Sequence, residues 1–271
     1  MTAAAPAPAG AAAMTPAATS PAGSPAVNEH WLIFGASSAM ARAFAREAAA
    51  RGAVVTLAGR DQDDLAETAA DLGLRGASSS RVLACDAADP ASRAECIASA
   101  PLADTTLNVF MAIAQMPEQD AMNADPALLA RMIEATYAGP VALLQGLAPE
   151  FERQKGGRVV IVGSVSGDRG RRKNYLYGSA KAGLATYAAG LRARLFASGA
   201  SVTLVKPGFV DTAMTWGMPG LFLVSSPEAC ARAMMRAALK GRAEIYHPFF
   251  WRFIMLVIKH IPAALMKRLK F

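Results

Sequence analysis

Short, continuously apolar runs alternate with helix-patterned stretches from Trp31 to Lys240, and few folds accommodate that order. The first run, HWLIF at 30–34, leads through a glycine turn into an alanine-rich helix ending by Gly52. Further runs stand at AVVTLAGRD (53–61), SRVLACDAAD (80–89), TLNVFMAIAQ (106–115), GRVVIVGSVSG (157–167) and SVTLVKPGFV (201–210). Between them helices are predicted from the acid-rich stretch at Asp61, after Pro90, over 125–154, over 174–198 and over 226–240. Acidic residues in a first turn suit the helix dipole, SSPE caps the last helix, and Pro140 is expected to bend the long one. A strand with one wet face would alternate apolar and polar residues. These strands do not, so both faces are covered, as in a parallel sheet. The fold expected is α/β: a doubly wound parallel sheet, Rossmann-like, in three αβα layers. Its ligand belongs at the carboxyl ends of the strands, at the topological switch point.

The flanks differ in composition. Residues 1–27 are almost entirely Ala, Pro, Gly, Ser and Thr. Such a stretch buries too little apolar surface to offset its ordering entropy, and a disordered leader is expected there. Residues 28–244 form the expected α/β domain, and 245–271 a basic, apolar C-terminal segment. The chain carries a net charge of +7, and from Lys240 onward seven Lys/Arg oppose the single Glu244. The remainder is close to neutral, which argues against nucleic acid as a partner. Cys85, Cys96 and Cys230 are odd in number and without motif spacing, so they are expected to be reduced core thiols of a cytoplasmic protein. His30, His247 and His260 have no ligand spacing, and no metal site is expected. No apolar run reaches the ~18 residues of a membrane span.

The strand ends carry the chemistry. Gly35 opens the turn GASSAMA, where a helix N-terminus can hold a pyrophosphate; Ala39 and Ala41 stand where further glycines are usual. The second strand ends in Gly59 and Arg60, offering a 2′-phosphate a cation and no carboxylate, which favours NADPH over NADH. Asp86 ends the third strand, placed either to bond an adenine amino group or to cap the next helix. In NYLYGSAKA (174–182), Tyr177 and Lys181 are four apart and share a helix face, about 40° apart on the wheel. Tyr175, six before the lysine, faces elsewhere. An ammonium beside a phenol favours the phenolate, so Lys181 is expected to lower the Tyr177 pKa and fit it for proton transfer at a carbonyl. Ser164, at the end of the fifth strand, supplies a second donor.

With KPGFVDT after the sixth strand, these features resemble the short-chain dehydrogenase/reductase family over roughly Asn28 to Lys240. The resemblance implies that Tyr177 is the acid/base, that Lys181 tunes it and bonds the nicotinamide ribose, and that Ser164 orients the substrate oxygen. Gly35, Ser37, Ser38 and Met40 would form the pyrophosphate turn. Asp86 and Ala114 would also line the cofactor, and Pro207, Gly208, Val210 and Thr212 would flank the nicotinamide. Two departures stand out: Thr136 replaces the asparagine usual after the fourth strand, and Ala112-Ile113-Ala114-Gln115 replaces Asn-Asn-Ala-Gly. Family likeness also implies a dimer or tetramer.

SVSGDRGRRKNYLYGSAKAG, KPGFVDTAMT and the tail further resemble reductases of decaprenylphosphoryl-2-keto-erythro-pentofuranose. That likeness implies a lipid-linked, phosphate-bearing keto-sugar as substrate. DRGRRK (168–173), at +3 beside the pocket, would suit the phosphate; the other reading is a solvated loop or subunit contact. The tail mixes Phe249, Phe250, Trp251, Phe253 and Ile254 with Arg252, Lys259, Lys267, Arg268 and Lys270, which suits an anionic membrane face. A helix covering the domain or a second subunit would look similar. Alternative functions are reduction of a hydrophobic ketone (steroid, retinoid or acyl chain) and a non-catalytic NADPH-binding sensor.

Overall fold

The computed structural model describes residues 28–217 and 222–269. The leader 1–27 and Lys270 lie outside the described residues. Seven parallel strands form one sheet: β1 (Glu29–Phe34), β2 (Val54–Gly59), β3 (Ser79–Ala84), β4 (Thr106–Met111), β5 (Arg158–Val162), β6 (Ser201–Pro207) and β7 (Glu244–His247). Their order is β3-β2-β1-β4-β5-β6-β7, so the winding direction reverses between β1 and β4. The expected αβα architecture is present. β1 is buried along its whole length, as a strand covered on both faces must be.

On one face, α1 (Ala39–Ala49) and α8 (Pro227–Leu239) close a core in which Phe44 stacks on Phe110, ring centroids 4.2 Å apart. On the other, α6 (Gly139–Gln154) and α7 (Tyr175–Leu195) cover Leu32, Phe34, Val109 and Ile161. Each such large side chain contributes about 1.5–3 kcal/mol of transfer free energy. Alanine-rich helices let the layers approach closely, and Ala41, Ala45 and Ala48 of α1 are fully buried. The remaining helices are α2 (Gln62–Leu74), α3 (Pro90–Ala98), α4 (Gln119–Ala124), α5 (Pro126–Ile133), α9 (Trp251–His260) and α10 (Ala263–Met266). Asp61, Asp89 and Ser226 cap α2, α3 and α8 with their side-chain oxygens.

Two expectations about elements are sharpened. The long helix is interrupted by a π-turn, Glu134–Ala138, immediately before Pro140. Pro140 supplies no N–H, and the wider turn absorbs the mismatch that its ring would otherwise impose. The boundary placed after residue 244 falls inside β7, which pairs with β6 from Leu204↔Glu244 to Pro207↔His247. This edge strand is only four residues long and half polar, so it carries no apolar run to read. The C-terminal segment therefore begins within the sheet.

Candidate active site

The carboxyl ends of β1, β4, β5 and β6 bring the site together. Gly35 has a φ of +70°, and a Cβ there would come within 3.0 Å of the Ala112 carbonyl carbon after β4. Only glycine fits a turn so close to the neighbouring strand. The turn delivers the first N–H groups of α1, unpaired within the helix, to the carboxyl end of the sheet. The Ser38 hydroxyl oxygen accepts from Ala41 N at 3.2 Å and so caps α1. Ser37 is exposed, whereas Met40 packs partly on the core. An exposed helix N-terminus behind a tight glycine turn fits a dinucleotide pyrophosphate.

At the end of β2, Arg60 is exposed. A Cβ on Gly59 would approach Leu65 Cδ1 to 2.9 Å, so a longer residue there would shift the Leu65 side chain. The nearby Arg42 is committed to Asp64 at 2.5 Å and to the Ser37 carbonyl at 3.2 Å. Asp86 does not cap α3; Asp89 does. Asp86 instead accepts from Ala88 N at 2.9 Å, shaping its own turn. Ala114 precedes Gln115, whose backbone N–H and C=O both bond Thr136 Oγ1 at 3.0 Å. Thr136 is buried in the π-turn and so ties the long helix to the loop after β4. The substitution at 136 is visible in the sequence; this tie is not.

Ser164, Tyr177 and Lys181 meet between β5 and α7. After β5 the chain makes a 3-10 turn, Val165–Asp168, that lies directly on α7. A Cβ on Gly167 would stand 2.8 Å from the Lys181 carbonyl carbon, and one on Gly178 2.8 Å from the Ser166 carbonyl oxygen. These two glycines let the serine turn reach the tyrosine face. Ser164 Oγ accepts from Ser166 N at 3.0 Å, which leaves its own proton to donate elsewhere. Tyr177 and Lys181 are both buried, with Lys181 Nζ 5.8 Å from the phenol ring centre and donating to Val162 O at 2.8 Å. Tyr175 points away and donates to Asn123 on α4 at 3.0 Å.

The electrostatics differ from expectation. Burial pushes the Tyr177 phenol above its usual range, and the interaction with Ser164 opposes this only in part. Burial also pulls Lys181 down to about 7. Desolvation penalises both charged forms, and the ammonium is turned to a backbone carbonyl. The protein side chains alone therefore do not lower the phenol.

Pro207 and Val210 are buried, and Gly208 lies against Trp251 of α9, whose indole a Cβ would overlap. Trp251 meets Phe209 and Phe222 with ring centroids 5.6 Å away in each case, and packs with Val165 and Met255. Thr212 N donates to Thr215 Oγ1 at 3.2 Å, while Asp211 N and Ser225 N bond Ser225 O and Phe209 O across the loop base. The C-terminal segment thus walls the loop after β6. A Pro-Gly pair followed far downstream by an aromatic tail was the only sequence hint of it.

The short chain dehydrogenase family profile matches residues 29–219. The chain belongs to the short-chain dehydrogenase family. An uncharacterized oxidoreductase of Mycobacterium tuberculosis is 34% identical over 239 residues, covering 88% of this chain and 96% of that protein. An uncharacterized oxidoreductase of Streptomyces coelicolor is 32% identical, covering 88% and 94%. A solved short chain dehydrogenase/reductase family protein superposes with a TM-score of 0.73 at 26% identity, covering 81% of this chain and 95% of its own. A Sphingobium yanoikuyae short-chain dehydrogenase, solved in complex with NADPH, has the same fold at a TM-score of 0.73 and 24% identity, covering 87% and 97%. As a short-chain dehydrogenase this protein is an NAD(P)-dependent oxidoreductase.

Proposed function

We propose that this enzyme uses NADPH to reduce a ketone to a secondary alcohol, with Tyr177 as proton donor. The observation that carries this reading is the seating of the Ser164 turn on α7 through Gly167 and Gly178, beside Tyr177 and Lys181. NADPH held there would provide a hydride for the carbonyl carbon. Ser164, its oxygen already accepting from Ser166 N, directs its proton at the carbonyl oxygen. Tyr177 gives its proton to the same oxygen, completing the alcohol, and the Lys181 ammonium offsets the phenolate left behind. Gly35, Ser37, Ser38, Met40, Asp86 and Ala114 would bound the dinucleotide, with Pro207, Gly208, Val210 and Thr212 on its nicotinamide side. Exposed Arg60, with no carboxylate at Gly59, supports NADPH over NADH.

For the substrate we favour a keto group on a polyprenyl-phosphate-linked or phosphorylated sugar. Phe222 and Phe249 are exposed on the segments that adjoin Trp251, and Arg172 and Lys173 are exposed before α7. An apolar rim with cations beside it suits a lipid chain and a phosphate. The same rim without the phosphate would suit a hydrophobic ketone, the second reading. A lipid-linked substrate also accords with peripheral attachment at the cytoplasmic face of the membrane through 245–271.

Tyr177→Phe should abolish turnover while NADPH still quenches protein fluorescence with unchanged affinity. Retained turnover would overturn the assignment of the proton donor. NADPH oxidation with prenyl-phosphate keto-sugars, set against simple ketones, tests the substrate class.

A further inference from the structure

The stretch DRGRRK carries +3, but its charges do very different things. Asp168 is almost fully buried, with Oδ1 2.8 Å from Lys206 Nζ of β6 and Oδ2 accepting from Tyr246 of β7 at 2.6 Å. Lys206 also pairs with Glu244 at 2.9 Å. Arg169 donates to the Ile261 carbonyl at 3.0 Å, fastening the loop to the end of α9. Arg172 and Lys173 are exposed.

Arg171 is different. It is half-buried, and among the described residues it forms no ion pair. Its Nη2 donates to Ser166 Oγ at 2.9 Å, an oxygen that also accepts from Asn174 Nδ2 at 3.1 Å. Its Nε is buried without a hydrogen-bond partner. The nearest acid acting on it, Asp168, is already engaged by Lys206 and Tyr246. Burial accordingly pulls the guanidinium below its usual range. A partly desolvated guanidinium that no free carboxylate pairs is costly to hold unless an anion compensates it. Ser166 links it to the reacting centre, because Ser166 N donates to Ser164 Oγ.

We infer that Arg171 is the anion subsite of the substrate pocket, donating to a phosphate oxygen of the molecule whose carbonyl meets Ser164 and Tyr177. This rests on the phosphate-bearing substrate proposed above and narrows it to one residue. A guanidinium presents a planar fork that matches a phosphate, and Ser166 with Asn174 holds that fork in place.

The test compares two substrates on three proteins. One substrate is a ketopentose on a short prenyl phosphate; the other is the same ketopentose as an alkyl glycoside. The wild type should favour the phosphate-bearing ketone in kcat/KM. Arg171→Gln should cut that preference about tenfold or more, mainly through KM, with NADPH affinity maintained. Arg171→Lys, which keeps the charge but not the fork and should fold, should retain an intermediate preference. If both variants keep the wild-type preference, or lose both substrates equally, Arg171 is not the subsite. If the wild type itself shows no preference, the phosphate-bearing substrate falls and this inference falls with it.

Discussion

Lys181 carries its amine in a fully desolvated position, held by one backbone carbonyl, and its pKa falls to about 7. The ammonium is present below that pH and lost above it. Because the ammonium offsets the phenolate left on Tyr177, kcat/KM for reduction is expected to fall as pH rises through about 7. A pH–rate profile of the free enzyme reads this, since kcat/KM reports free-enzyme ionisations. A flat profile between pH 6 and 9 would count against the role of the lysine. The other decisive single residue is Arg60, exposed beyond a glycine that cannot lengthen without displacing Leu65. Arg60→Ala should weaken NADPH about tenfold or more and leave NADH nearly unchanged; equal losses for both cofactors would remove its assignment to the 2′-phosphate.

Among the elements, the 3-10 turn after β5 and helix α7 act as one unit. Gly167 sits where a methyl group would press on the backbone at Lys181 and Ala182, at 2.8 and 2.9 Å. Backbone cannot give way as the far end of a side chain can. Gly167→Ala is therefore expected to lift the turn from α7, destabilise the fold by about 1–3 kcal/mol and lower kcat more than NADPH affinity. Denaturant unfolding together with steady-state kinetics checks both; unchanged kcat would mean that the serine does not depend on this seating. The Tyr177–Lys181 pairing was legible in NYLYGSAKA because helical spacing alone puts residues four apart on one face. The glycine contacts were not legible, because they join segments whose separation in space no local pattern records. The same holds for Thr136, a visible departure whose bonds to Gln115 depend on how the π-turn sits over β4.

For the molecule as a whole, the question is what the C-terminal segment does. α9 buries Trp251 and Met255 on the domain, yet Phe253, Leu256 and Val257 on its other side are 60%, 55% and 68% exposed. Apolar on both sides and flanked by Arg252 and Lys259, it suits an anionic lipid surface. Removing the tail after Lys240 cannot test this, because the deletion also removes β7 and the wall that Trp251 forms on Gly208. Replacing Phe253, Leu256 and Val257 together by serine changes only exposed side chains. The wild type is expected to co-sediment with anionic vesicles and the triple variant to stay in solution with its melting temperature within a few degrees. A wild type that ignores vesicles, or a variant that still binds them, would leave the outward stripe to another subunit.

The sequence alone determined the αβα architecture, the parallel sheet and the helical face shared by Tyr177 and Lys181. Each follows from periodicity or spacing within one segment, which burial and helix geometry dictate locally. The tertiary structure decided which charges of DRGRRK are neutralised, that β7 extends the sheet, and that Trp251 walls the loop after β6. It also reversed the expected effect on the Tyr177 phenol. Those outcomes depend on desolvation and on contacts between residues far apart in the chain, such as Asp168 with Tyr246 or Gly208 with Trp251, and such contacts exist only once the layers have packed.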